Sequence, residues 1–121
     1  MHPLHTIILG VSRNPFRYAN LAAEALKSKG IPFVAVGRNS FRIQDFEVTD
    51  NLTGISMTHT FTIYLRPELQ PLYYSEILRI RPERIIFNPG TYNPELNRLA
   101  KTSGIQTLEA CTLVLLSSGQ Y

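Results

Sequence analysis

The chain has 121 residues, 44% of them hydrophobic, which gives room for one domain (residues 1–121) and one core that needs neither disulfide nor structural metal to fold. The single Cys111 excludes an internal bridge, and the absence of any membrane-length apolar run or signal-peptide pattern points to a reducing, cytoplasmic setting with no membrane partner. The net charge of +3 is scattered rather than striped, which argues against nucleic acid and toward small anionic ligands.

Thr6-Ile7-Ile8-Leu9, ended by Gly10, reads as a strand buried on both faces of a parallel sheet. Residues 10–18 form a loop turned at Asn14-Pro15, and from Arg17 the stripe Tyr18, Leu21, Ala22, Ala25, Leu26 marks a helix stopped by Gly30. Phe33-Val34-Ala35-Val36-Gly37 repeats the strand-then-glycine pattern. From Arg38 to Thr58 the sequence is less regular, and we read a long connection with one short strand near Phe46-Glu47-Val48 and a helical turn. Phe61 to Leu65 is a third core strand; Pro67 starts a helix whose stripe is Leu69, Leu72, Tyr73, Ile77 and Leu78. Arg84-Ile85-Ile86-Phe87 is a strand running into Asn88-Pro89-Gly90, a helix follows from Pro94 to Ser103 with Gly104 as its C-cap, and Ile105 to Leu108 is the last strand. Cys111 to Leu116 closes the chain as a short helix or a strand.

This alternation specifies an α/β, Rossmann-like three-layer sandwich, an open and mostly parallel sheet of about five strands with helices on both faces. Ligands of such sheets sit at the carboxyl ends of the strands, so the loops beginning at Gly10, Gly37, Leu65, Asn88 and Glu109 carry the function. Gly10 permits a tight turn beneath a helix N-terminus, Ser12 offers a hydroxyl, and Arg13 and Arg17 offer charge-assisted bonds to phosphate. The plainer alternative is a turn glycine with two solvated arginines. Only the first glycine of the G-x-G-x-x-G dinucleotide pattern is present, and Arg38 stands where an NAD site places an acid. Both departures favour a ligand with a ribose phosphate: coenzyme A, or NADP as the alternative.

Gly10-Val11-Ser12-Arg13-Asn14-Pro15 with Arg17-Tyr18, the Val36-Gly37 strand end, Ile85-Ile86-Phe87-Asn88-Pro89-Gly90-Thr91, and Gly104-Ile105 before Glu109-Ala110-Cys111 resemble the small stand-alone bacterial CoA-binding proteins, relatives of the N-terminal domain of the succinyl-CoA synthetase alpha subunit. The resemblance spans nearly the whole chain. It implies a CoA-type ligand whose phosphates lie over Gly10, Val11, Ser12 and Arg13, and it implies no catalytic residues. The chain departs from that family after its second strand, where Gly37-Arg38-Asn39-Ser40 replaces the usual Asn-Pro step and glycine-containing hairpin.

The expected ligand-contacting set is therefore Gly10, Val11, Ser12, Arg13, Arg17, Tyr18, Gly37, Arg38, Tyr64, Leu65, Asn88, Pro89, Gly90 and Thr91, with no metal site. Asn88 to Thr91 reads equally as a cleft wall and as an ordinary turn. Cys111 reads as a small buried hydrophobe, His2, His5 and His59 lack metal-site context, and Tyr73 and Tyr74 read as core or interface. Three functions compete: a non-catalytic CoA-binding sensor or accessory protein, with a homo-oligomer or a synthetase-like protein as partner; a small NADP- or acyl-CoA-dependent enzyme completed by oligomerisation, with Tyr64 or Cys111 as proton donor; and a partner-binding module without nucleotide affinity.

Overall fold

The computed structural model describes residues 4–121, so the expectation for His2 lies outside the described residues. Seven strands form one sheet: β1 (Thr6–Leu9), β2 (Phe33–Val36), β3 (Phe41–Ile43), β4 (Phe46–Thr49), β5 (Thr60–Ile63), β6 (Arg84–Phe87) and β7 (Gln106–Glu109). Their spatial order is β3-β4-β2-β1-β5-β6-β7, all neighbours parallel except the β3–β4 pair. Four α-helices accompany them: α1 (Tyr18–Ser28), α2 (Tyr74–Ile80), α3 (Pro94–Thr102) and α4 (Thr112–Ser117).

The period-2 alternation of the strands divides the core between two faces. Ile7, Leu9, Phe61, Ile63, Ile85 and Phe87 point to the face covered by α2 through Ile77 and Ile80 and by α3 through Leu96 and Ala100. Ile8, Ala35 and Val48 point to the other, covered by α1 through Ala19, Ala23 and Leu26 and by α4 through Leu116. The three-layer, mostly parallel architecture is thus as the sequence leads one to expect, and the ambiguous closing segment is the helix α4.

Two parts of the chain differ from that expectation. The connection after β2 is a β-hairpin, which raises the strand count from about five to seven. Its turn is only Gln44-Asp45, because Gln44 takes φ = 55°, a left-handed conformation that glycine or asparagine usually supplies. The register sets Phe41 opposite Val48 and Ile43 opposite Phe46, and these four apolar residues pack on the α1 face, while Arg42 and Glu47 pair on the other side at 3.4 Å. An edge contact between Phe46 and Phe33, 5.6 Å between ring centres, fixes the hairpin to β2.

The segment after β5 is the second. Pro67–Tyr73 is a 3₁₀ stretch and only Tyr74–Ile80 is α-helical. Pro71 inside the segment lacks an N–H and so cannot continue an α-helical ladder. The tighter winding exposes Leu72, which the helical stripe had placed inward, and buries Gln70 completely. The α1 stripe is also rotated: Ala19, Asn20, Ala22, Ala23 and Leu26 are buried, whereas Tyr18 and Leu21 face solvent.

The edge of the sheet where the strands begin is closed by Tyr121. Its hydroxyl meets Thr6 Oγ1 at 2.5 Å and its ring lies under the Arg84 guanidinium at 4.6 Å. Burial holds the pKa values of His5 and His59 below their ordinary 6.5, and Arg84 lowers that of His59 further. Between 6.5 and the lower folded values the unfolded chain binds more protons than the folded one, so stability falls as pH drops through that window and is unaffected above it. Replacing His5 and His59 by glutamine should shrink the fall in urea midpoint between about pH 7.5 and about pH 5.5, measured against the unmodified chain.

Candidate functional site

Strand order reverses between β1 and β5: the chain leaves β1 toward β2 on one side and returns on the other at β5. A cleft of about 610 Å³ opens there, at the carboxyl ends of the strands. Two glycines allow it to form. Gly10 takes φ = 112°, and a Cβ on it would stand 3.0 Å from both the Tyr64 carbonyl carbon and the Leu65 nitrogen. A Cβ on Gly37 would drive into the Val11 carbonyl oxygen and stand 3.0 Å from Val48 Cγ1. The loop after β1 therefore passes between the ends of β2 and β5 at backbone distance.

Within that loop most of the amides are already engaged. Val36 O accepts from both Gly10 N and Val11 N at 2.9 Å. Asn20, wholly buried in the first turn of α1, takes the Ser12 N–H at 3.3 Å and donates its amide to the Ser12 carbonyl at 2.8 Å. Ser12 Oγ accepts from Asn14 N and keeps its own O–H to donate, and the Asn14 side chain accepts from Phe16 N. What remains without a protein acceptor among the described residues is the Arg13 N–H, together with the N–H groups of Tyr18, Ala19 and Asn20 at the start of α1, where no side chain caps the helix. Tyr18 and Ala19 line the cleft. The first loop thus offers anions a helix N-terminus and arginine side chains rather than a cradle of its own amides.

Arg13, Arg17 and Arg38 all line the cleft, and no aspartate or glutamate does among the described residues. Arg13 lies with its guanidinium carbon 4.3 Å from the centre of the Phe41 ring, so the hairpin forms one wall. Tyr64 forms part of the floor. Its hydroxyl lies near those of Thr112 and Thr62 without a well-formed hydrogen bond, and burial pushes its pKa above the ordinary range, so it stays neutral at physiological pH. Gly37 and Leu65 border a smaller, mostly apolar cleft of about 180 Å³ with Leu69, Leu72 and Tyr73, which shares the lining residues Gly10, Arg38 and Leu69 with the first.

Of the residues singled out in the sequence, Gly10, Val11, Ser12, Arg13, Arg17, Tyr18, Arg38, Tyr64, Pro89 and Thr91 come together in the large cleft, and Gly37 and Leu65 in the small one. Asn88 and Gly90 line neither. Asn88 is buried, donates to Thr62 Oγ1 at 2.7 Å and Ile63 O at 2.9 Å, and accepts from Thr112 N at 2.8 Å, which ties β5, β6 and α4 together. Gly90 turns the loop at φ = 86°. Cys111 is half-buried at the start of α4 and lines neither cleft. Among the described residues no cluster of three or more His, Cys, Asp or Glu could hold a metal ion, and no helix is long and apolar enough to cross a membrane.

Among the contributors that escaped the sequence are Asn20, Asn39, Phe41 and Gln70. Gln70 donates to the carbonyls of Leu65 and Thr91, each at 2.8 Å, and accepts from Asn93 at 3.0 Å, so one buried amide joins the loops after β5 and β6. Asn93 also caps α3 through Glu95 N and Leu96 N and donates to Tyr74 Oη at 2.7 Å.

Comparison with known proteins places the chain. Residues 5–117 match the model of the CoA binding domain family, and the chain belongs to that family. No protein of curated function matches it in sequence. Among solved structures, one described as an uncharacterized protein is 41% identical with a TM-score of 0.89 over 97% of both chains. A protein from Thermus thermophilus, cell-free ID.343, shares the fold at 19% identity and a TM-score of 0.83, over 97% of this chain and 90% of its own. A dinucleotide-forming acetyl-coenzyme A synthetase from Ca. Korarchaeum cryptofilum, in complex with phosphate and ADP, shares it at 11% identity and a TM-score of 0.71, over 88% of this chain and 25% of the synthetase.

The reciprocal pair between Asn20 and Ser12 is testable by stability. Asn20→Ala strands a buried peptide group and should lower the unfolding free energy by about 1–3 kcal/mol in urea titration. Asn39→Ala, at an exposed residue of the cleft wall, should change it by less than about 0.5 kcal/mol.

Proposed function

We propose that this member of the CoA binding domain family holds coenzyme A across its two neighbouring clefts, as a binding or accessory protein rather than through chemistry of its own. The observation that carries the reading is the convergence of three guanidiniums, no carboxylate and an uncapped helix N-terminus at the point where the strand order reverses. Such a site attracts a polyanion and has nothing to repel it. Pyrophosphate is matched by the Arg13 N–H, the first turn of α1, the Ser12 hydroxyl and Arg17. Arg38, following β2 and bordering both clefts, is placed for a phosphate on the ribose. The small apolar cleft suits a flat base, and the floor of Tyr64, Pro89 and Thr91 leaves a path for the pantetheine arm.

Burial makes the Tyr64 hydroxyl a weaker proton donor and Cys111 lines neither cleft, which supports binding over turnover. A second phosphate-bearing ligand, NADP, shares the pyrophosphate and ribose-phosphate chemistry and is the competitor to exclude.

Calorimetric titration with CoA, dephospho-CoA, NADP and NAD tests the reading. CoA should bind most tightly, and loss of the ribose phosphate in dephospho-CoA should cost about 10- to 100-fold, the usual strength of a hydrogen bond to a charged group. Arg38→Ala should shrink that difference, whereas Arg17→Ala should weaken CoA and dephospho-CoA alike. Tighter binding of NADP than of CoA, or no binding of any of the four, would defeat the proposal.

A further inference from the structure

We infer that Phe41 is a positioning residue that fixes Arg13 on the Arg38 side of the cleft, so that the two guanidiniums together grip the ribose phosphate. The inference rests on the reading of the cleft given above and adds to it a second cation and the aromatic shelf that aims it.

Arg13 leaves the first loop at the end of β1, from which its long side chain has two directions open to it: toward the start of α1, where Arg17 already stands, or across the end of β2 toward the hairpin. It takes the second. Its guanidinium lies over the Phe41 ring at 4.3 Å, and no hydrogen bond or ion pair holds the group among the described residues. A guanidinium resting on a ring face keeps its N–H edge open to an acceptor, so this contact orients the group without using its donors. Arg38 and Asn39 stand three and two residues before Phe41, and these three line the same cleft as Arg13.

The shelf itself is firmly set. Phe41 pairs with Val48 across the hairpin, packs beside Phe46 and Ile43 on the α1 face, and is carried by a strand pair that β2 anchors through Phe33 and Phe46. An exposed arginine loses substantial rotamer entropy when it binds an anion. Holding it in place beforehand lowers that cost, and it does so only for a ligand group that reaches the end of β2. The effect should therefore appear as discrimination between ligands with and without a ribose phosphate, and not as a uniform change in affinity.

The test compares CoA and dephospho-CoA affinities in the full chain, with melting midpoints confirming that each variant is folded. Phe41→Leu keeps an apolar residue in the hairpin but removes the ring face; it should weaken CoA by about two- to fivefold and leave dephospho-CoA unchanged. Phe41→Trp should restore CoA affinity, because the indole offers a stronger face to the cation. With Arg13→Ala already in place, Phe41→Leu should have no further effect. Unchanged CoA binding in Phe41→Leu, an equal loss for both ligands, or failure of the tryptophan to rescue would overturn the inference. These results are separable from failure of the underlying reading, in which the unmodified protein would bind neither ligand.

Discussion

The structure turns on one carbonyl. Val36 O, at the end of β2, accepts the N–H groups of both Gly10 and Val11, and in doing so folds the chain that leaves β1 back across the sheet edge. That crossing is sterically possible because neither Gly10 nor Gly37 has a Cβ; each would collide with backbone of the neighbouring segment. The same bonds consume the amides that a phosphate-binding loop would otherwise offer. In dinucleotide-binding folds a second glycine brings the backbone against the pyrophosphate. Here Asn20 holds the Ser12 peptide instead, and the donors left open lie at the start of α1 and on arginine side chains. The cationic character of the cleft follows from how the loop satisfies its own hydrogen bonds.

The two banks of the cleft are built differently. On the β5–β6 side, Gln70, Asn88 and Asn93 join the strand-end loops through buried amide bonds that leave little freedom, since breaking any of them would strand polar groups away from water. On the β2 side, the hairpin is joined by apolar contacts, by the Arg13–Phe41 stack, and by a Lys27–Asp45 ion pair between half-exposed groups that adds little stability. A hydrogen-bonded floor and an apolar, side-chain-mediated wall thus fix the two banks by different means.

The core was legible in the sequence because burial on both faces leaves continuous apolar runs, such as Ile7 to Leu9 and Ile85 to Phe87, each ended by a turn signal. The large cleft was legible for the same reason: once the strand ends are placed, their loops must converge. The hairpin was not, since its turn residue Gln44 carries no sign of its left-handed conformation and β3 is only three residues long. Asn20 and Gln70 were hidden because a polar residue in a helical stretch ordinarily faces water. The available signal was positional: each is flanked by apolar residues, at Ala19 and Leu21 and at Leu69 and Pro71, where a solvated face would be mixed with charge. For Asn88 the sequence left a cleft wall and an ordinary turn equally open, because an amide at a strand end serves a ligand or a helix N-terminus by the same bonds; the structure shows it accepting from Thr112 N at the start of α4.

Burial keeps Tyr64, which lines the cleft, neutral across the physiological range. The histidines whose protonation does respond, His5 and His59, lie at the opposite edge of the sheet, where the strands begin. Under the proposed function the titrating group of the complex is then on the ligand: a phosphate monoester on the ribose gains its second charge near pH 6, about where monoesters ordinarily titrate, whereas a pyrophosphate diester does not. On that reading the guanidinium-lined cleft would respond to the charge state of its ligand, and Arg13 and Arg38 would direct the response to the one group that distinguishes coenzyme A from its dephosphorylated form.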